Sequence, residues 1–263
     1  MIIDAYNNVW QAGGTSDYLT AESYTPENMI ASMDAAGVDM AVGCSLGQMI
    51  DNAFISRTVA AYPDRIVGFG QVDPRRPDAV ETVHACAREY GLRGLKLHPT
   101  MHGYHFADHG LLDPVFEACR ENGLMILVNA LDDPFCAPLS IEEISRAFPE
   151  VPLLIAHMGT IWNVNEAILV AERNEHIYLE TSGTQLIEVQ MAYRRLGAGR
   201  LVMGTDWPGS HFDLERAKIA RAIPDEKDRA LVEGGTLARL LGLPDRTAAP
   251  RTANAAATEA GRA

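Results

Sequence analysis

The chain has 263 residues, 47% hydrophobic and 22% charged, which is typical of a globular protein with one large domain. A formal net charge of −13 argues against nucleic acid and against an anionic membrane surface as partners, because both attract a basic face. The sequence shows neither a signal peptide nor an apolar run near the roughly 20 residues of a membrane span. Its four scattered cysteines fit a reducing compartment, so we expect a cytoplasmic protein.

Apolar runs of strand length alternate with segments of helical periodicity almost to the end of the chain. Several runs are apolar throughout, as expected for parallel strands that are buried on both faces. The predicted strands are Met1–Tyr6, Asp39–Cys44, Ile66–Gln71, Gly94–His98, Met125–Asn129, Leu153–His157, Ile177–Thr181 and Leu201–Thr205. The predicted helices are Pro26–Ala36, Asp51–Tyr62, Pro77–Tyr90, Leu112–Asn122, Ile141–Phe148, Val164–Arg173, Gln185–Leu196 and Leu214–Ala222.

Proline and glycine mark the ends of these helices, for example Pro26 at a start and Gly37 after an end. Eight strand–helix repeats in about 240 residues predict one (β/α)₈ barrel, a TIM barrel, over residues 1–243. A doubly wound open sheet is the alternative, which the strict alternation disfavours. Residues 244–263, rich in Ala, Thr and Arg, are predicted to form a disordered tail.

Polar residues stand at or near the carboxyl ends of the predicted strands, where the active sites of such barrels are built. We therefore expect these side chains to converge on one mouth of the barrel. They are Asp4, Tyr6, Asn8, Lys96, His98, Asn129, His157, Glu180, Thr181 and Asp206.

Three motifs lie in order on strands 4, 6 and 8: Gly-Leu-Lys-Leu-His-Pro at 94–99, Ala-His-Met-Gly at 156–159 and Gly-Thr-Asp-Trp-Pro at 204–208. Together they resemble the amidohydrolase-related family. That family includes aminocarboxymuconate semialdehyde decarboxylase, metal-dependent hydratases and decarboxylases, and the metal-independent 2-pyrone-4,6-dicarboxylate lactonase. The resemblance covers roughly residues 1–243 and implies an amidohydrolase-like barrel.

The resemblance also implies roles for single positions. The family's metal-binding His-x-His falls on Tyr6 and Asn8, and its strand-5 histidine falls on Asn129. The strand-6 acid/base histidine is kept as His157, and the strand-8 aspartate, a metal ligand and general base in many relatives, is kept as Asp206. One carboxylate with amide and phenol oxygens is a poor zinc site, so we expect no catalytic metal and no other cofactor.

The remaining candidates leave alternatives open. Tyr6 and Asn129 either hydrogen-bond each other or donate to an oxyanion in place of the metal. Lys96 either contacts a substrate carboxylate, is itself carboxylated, or forms an ion pair inside the barrel with Glu180. His98 is expected near the site, with its role open.

The segment Thr100–His109 carries three histidines, but its glycines favour a loop over a helical metal site. We interpret it as a lid over the barrel mouth, with His102 and His105 as substrate contacts. Trp162 and Trp207 are predicted to line the pocket.

The leading hypothesis is hydrolysis of a lactone, amide or similar acyl bond without a metal, with Asp206 as general base assisted by His157. The runner-up is a decarboxylase or other lyase that acts on a small carboxylic acid. A non-catalytic binding protein on the same barrel is the third hypothesis. The expected partner is a small molecule, with a carboxylate among the candidates, and a homo-oligomer is left open.

Overall fold

The computed structural model describes residues 1–11 and 24–244, in which eight parallel strands alternate with helices in the order β1 to β8. The strands are β1 (Ile3–Asn8), β2 (Met40–Cys44), β3 (Ile66–Gln71), β4 (Gly94–Leu97), β5 (Met125–Asn129), β6 (Leu153–Ala156), β7 (Ile177–Glu180) and β8 (Leu201–Val202). The helices are α1 (Pro26–Ala36), α2 (Asn52–Ala61), α3 (Ala79–Arg88), α4 (Pro99–His102), α5 (His109–Asn122), α6 (Pro138–Ser145), α7 (Val164–Arg173), α8 (Leu186–Leu196), α9 (Phe212–Ala222), α10 (Glu226–Ala230) and α11 (Thr236–Leu240).

Strand β1 and the segment that directly follows β8 meet and close the sheet. The Ala5 amide donates to the Met203 carbonyl at 2.9 Å, and the Asp206 amide donates to the Tyr6 carbonyl at 2.8 Å. The closed parallel sheet with helices between its strands confirms the predicted (β/α)₈ barrel.

Alternate residues of each strand face opposite sides of the barrel wall, as the period of two requires. On β5, Met125 and Leu127 join the cluster that fills the barrel interior. Their neighbours Ile126 and Val128 pack in the larger cluster between strands and helices, with Phe116 of α5. Because both faces are buried, the strand has no polar residue until Asn129, at its end.

The prediction of a continuous loop over Thr100–His109 is wrong at both ends. Pro99 starts the short helix α4, because its missing N–H is not needed in a first turn and the His98 side chain accepts from the Met101 amide. Helix α5 begins at His109, capped by the Asp108 side chain. Only the segment between the two helices is a loop.

Other predicted boundaries agree within a few residues, and β8, which ends at Val202 rather than at Thr205, is shorter than predicted. The tail prediction falls, from residue 245 onward, outside the described residues. Within residues 1–11 and 24–244, no helix combines the length and the apolar character needed to cross a membrane.

Candidate active site

Three residues from three strands meet at the carboxyl end of the barrel. The Asn129 side-chain nitrogen lies 2.8 Å from the Tyr6 hydroxyl and 2.9 Å from His157 Nε2. The Tyr6 and His157 rings meet edge to face, with 5.4 Å between their centroids. All three side chains are buried. The hydrogen bond between Tyr6 and Asn129 was one of the two predicted arrangements.

A buried carboxylate orients His157 through a serine. Ser182 Oγ donates to Glu180 Oε2 at 2.7 Å, and it lies 2.9 Å from His157 Nδ1. Because the one hydroxyl hydrogen points at the carboxylate, the serine oxygen accepts from the imidazole. Nδ1 therefore carries the proton in the neutral ring, and the Nε2 lone pair faces Asn129.

A second chain of contacts joins Lys96 to Asp206. Lys96 Nζ donates to Asn8 Oδ1 at 2.8 Å, and Asn8 Nδ2 donates to Asp206 Oδ1 at 2.7 Å. Nζ also lies 3.3 Å from the Ser45 carbonyl and 4.8 Å from the centre of the Tyr6 ring. The Lys96–Glu180 pair considered from the sequence is therefore wrong, because Glu180 binds Ser182 and the His157 amide instead.

Burial and charge act against each other on the acidic groups of the site. Burial raises the pKa of Asp206, while the charges of His157 and Lys96 and the Asn8 hydrogen bond act to lower it. Burial also raises the pKa of Tyr6 well above its ordinary value, so the phenol stays protonated and can act as a donor. Burial, followed by the charge of Lys96, lowers the pKa of His98 to about 2, so that imidazole is neutral.

The other predicted contact residues lie around this centre in different ways. His98 is buried and caps α4. His102 is buried, with Nε2 3.0 Å from the Gly47 carbonyl. His105 is exposed and accepts from the Ala107 amide. The structure thus buries His98 and His102 and leaves His105 at the surface.

Neither predicted tryptophan joins the polar network. Trp207 is buried in an apolar cluster that includes Val9, Met33 and Phe212. Trp162 is 83% exposed, which fits an outer wall of the mouth better than a closed pocket.

Asp4 and Ser182 differ from what the sequence indicated. Asp4 is buried and accepts from Thr205 and Asn7, so it ties β8 to β1 instead of facing the pocket. Ser182 was missed, although it stands two residues after Glu180, a spacing that brings two side chains to one side of an extended segment.

The metal-binding positions that the resemblance identified hold a phenol and two amides. Within residues 1–11 and 24–244, no three His, Cys, Asp or Glu side chains are grouped closely enough to hold a metal ion. The amide oxygen of Asn8, which could ligate a cation, already accepts from the Lys96 ammonium group. This donor set does not fit a divalent transition metal, which takes several imidazole, thiolate or carboxylate ligands.

A family model for amidohydrolases matches residues 4–243, nearly the whole described barrel. The chain belongs to the amidohydrolase family. Among curated proteins it is similar to L-fucono-1,5-lactonase of Burkholderia ambifaria, with 25% identity over 242 residues that cover 80% of this chain and 81% of the lactonase.

Solved structures of other proteins share the fold. A dihydroxybenzoic acid decarboxylase from Polaromonas, with bound manganese and an inhibitor, superposes with a TM-score of 0.73 at 16% identity and covers 92% of this chain and 97% of its own. A probable 2-pyrone-4,6-dicarboxylic acid hydrolase from Acinetobacter baumannii, with citric acid bound, gives 0.71 at 15% identity, with 92% and 99% covered. At these identities the likeness concerns the fold alone.

Proposed function

We propose that this amidohydrolase is a metal-independent lactonase that opens the cyclic ester of a small molecule. The observation that carries the proposal is the Asp206 carboxylate, fixed by Asn8 on one oxygen only. Its other oxygen, Oδ2, has no hydrogen-bond partner among the described residues, and the residue is partly exposed. A carboxylate held in this way can take a proton from a water molecule.

The reaction needs a base, a donor to the carbonyl oxygen and a proton for the leaving group. Water adds to the carbonyl carbon and gives one proton to Asp206. The ring C–O bond then breaks, and the departing oxygen takes up that proton. The products are a hydroxyl group and a carboxylic acid, which ionises in water, so the atoms balance without a further reactant.

Tyr6 and Asn129 supply the donor to the developing oxyanion. The Tyr6 oxygen accepts from Asn129, which leaves the phenol hydrogen without an acceptor among the described residues. The pair thus keeps the phenol hydrogen for a substrate oxygen, and His157 Nε2 holds the Asn129 amide in this orientation.

The decarboxylase alternative is less well supported. It needs a cation that reaches the substrate carboxylate, but Lys96 is 1% exposed and already donates to Asn8 and Ser45. The decarboxylase likeness rests on the fold, whereas the curated relative that aligns with most of this chain is a lactonase.

The test is a hydrolysis assay with chelator-treated protein and a panel of lactones, which includes L-fucono-1,5-lactone and 2-pyrone-4,6-dicarboxylate. Acid release is followed in a weakly buffered indicator solution. We expect turnover of at least one lactone that added zinc or manganese does not increase. Activity that depends on added metal, or release of carbon dioxide from aromatic acids with no lactone opened, would overturn the proposal.

A further inference from the structure

Lys96 carries a charge inside the barrel without a carboxylate in contact. Its side chain is among the largest fully buried ones, and within the described residues no Asp or Glu oxygen lies within the 4.0 Å of an ion pair with it. Burial of an ammonium group is costly unless the charge is compensated. The contacts that compensate it are two carbonyl oxygens, the face of the Tyr6 ring and the Cys44 side chain.

The direction of the two hydrogen bonds that join Lys96 to Asp206 through Asn8 is fixed at both ends. An ammonium group can only donate, so Asn8 must present its oxygen to Lys96. The amide nitrogen then faces Asp206, which must accept and does so at 2.7 Å. This amide therefore has one consistent orientation, and that orientation favours the ionised carboxylate.

We propose that Lys96 is a built-in cation that acts through Asn8 to hold Asp206 ionised and in place. In the manganese-bound decarboxylase of this fold a metal ion supplies positive charge; in this chain the charge is covalently part of β4. The inference deepens the proposed lactonase and rests on Asp206 as its base. Lys96 is a positioning residue, because its hydrogen bonds are made to the protein and not to the substrate.

Several groups from other strands influence the same carboxylate. The positive charges are those of Lys96 and His157, and burial opposes both. Burial, and after it the charge of Asp206, raises the pKa of Tyr6. Burial also raises the pKa of the Cys44 thiol, which Lys96 acts to lower and Asp206 to raise. Glu180 accepts from Ser182, which contacts His157.

The test compares Lys96→Met with the wild type and with Lys218→Met, a matched control. Lys218 is a partly buried lysine on α9 that binds Thr184 and Glu215, outside the site. Loss of the Lys96 charge removes support for the carboxylate, so the acidic limb of kcat/KM should move up by about one to three pH units. At a pH below the limb of both proteins, this is a loss of about 10-fold to 10³-fold in kcat/KM. Lys218→Met should leave the limb in place.

Asn8→Leu provides a second route if Lys96→Met folds poorly. It removes the hydrogen bonds that join Lys96 to Asp206 but keeps the charges of both residues. The acidic limb of kcat/KM should therefore move up in pH here as well. A merely structural role predicts a lower melting temperature with an unchanged pH profile. That outcome in both variants would overturn the inference.

A readout without turnover separates this inference from the proposed function. Carbon-13-labelled aspartate is titrated by NMR, and the Asp206 signal is assigned by its absence in Asp206→Asn. If no lactone is opened but the Asp206 titration moves up in Lys96→Met, the lactonase proposal fails and the inference stands. If lactones are opened and the titration is the same in both proteins, the inference fails and the lactonase stands.

Discussion

Asp206 and His157 both leave their strands with a backbone conformation that is uncommon outside glycine. Their φ angles are 55° and 59°, and Met158, next to His157, has 50°. Each such residue costs of the order of 1–3 kcal/mol and persists only where the surrounding structure enforces it. These conformations lie in the segments that follow β6 and β8, next to the site.

The first prediction concerns Asp206. Asp206→Asn keeps the size of the side chain and removes the base, so kcat should fall by about 10²-fold to 10⁴-fold with little change in melting temperature. If His157 serves the same step, adding His157→Asn should cost much less than the product of the two single losses.

Asp213→Asn is the matched control, because Asp213 is an exposed aspartate in the first turn of α9. It should keep full turnover. Full turnover in Asp206→Asn would instead show that Asp206 is not the general base and would favour the lyase hypothesis.

At the scale of elements, glycines let helices approach the barrel closely. Gly70 of β3 lies under α3, and a Cβ built there would be 2.4 Å from the sulfur of Cys86. Such contact is closer than any real pair of these atoms, so the absence of a side chain at Gly70 sets the distance between strand and helix.

The second prediction follows from that contact. Gly70→Ala should lower the free energy of unfolding by about 1–3 kcal/mol, because the added methyl group overpacks the interface. Adding Cys86→Ala removes the opposing sulfur, so the double variant should be more stable than the sum of the two single effects. Urea denaturation of the four proteins measures this coupling. If the two changes in the free energy of unfolding were simply additive, Gly70 and Cys86 would not be in the contact described.

At the scale of the whole molecule, an acidic chain surrounds a site with a buried cation and several buried carboxyl groups. Closure of the barrel brings Asn8 of β1 against Asp206, although the two are 198 positions apart in the sequence. Behind the site, Glu215 of α9 accepts from Thr181 and pairs with Lys218. Burial raises the pKa of Glu215 to about 7.

The third prediction is a pH dependence of stability. Because the pKa of Glu215 is raised in the folded state, its protonated form stabilises the fold at low pH, and this contribution is lost as pH rises toward 7. The Glu215→Gln variant has a neutral side chain at every pH, so it does not lose this stabilising contribution. The variant should therefore gain stability relative to the wild type between pH 5 and pH 8, by up to about 3 kcal/mol.

Unfolding in urea at several pH values measures the difference. A constant difference across that range would mean that Glu215 is ionised throughout.

The sequence by itself determined the order of strands and helices and the end of the barrel where the polar residues meet. Hydrophobic periodicity and helix-capping signals are local. A short run that is apolar throughout indicates a parallel strand buried on both faces when helical segments flank it. Residues such as Asn129 and His157 could therefore be predicted as neighbours, since adjacent parallel strands end side by side.

Only the tertiary structure decided which polar side chains pair. Lys96 could have met Glu180, but it binds Asn8, and Ser182 occupies the place beside Glu180. Trp207 could have faced the pocket, but it packs in the core. These choices depend on the tilt of strands around the barrel and on side-chain rotamers, which join residues far apart in the chain and leave no periodic signal in the sequence.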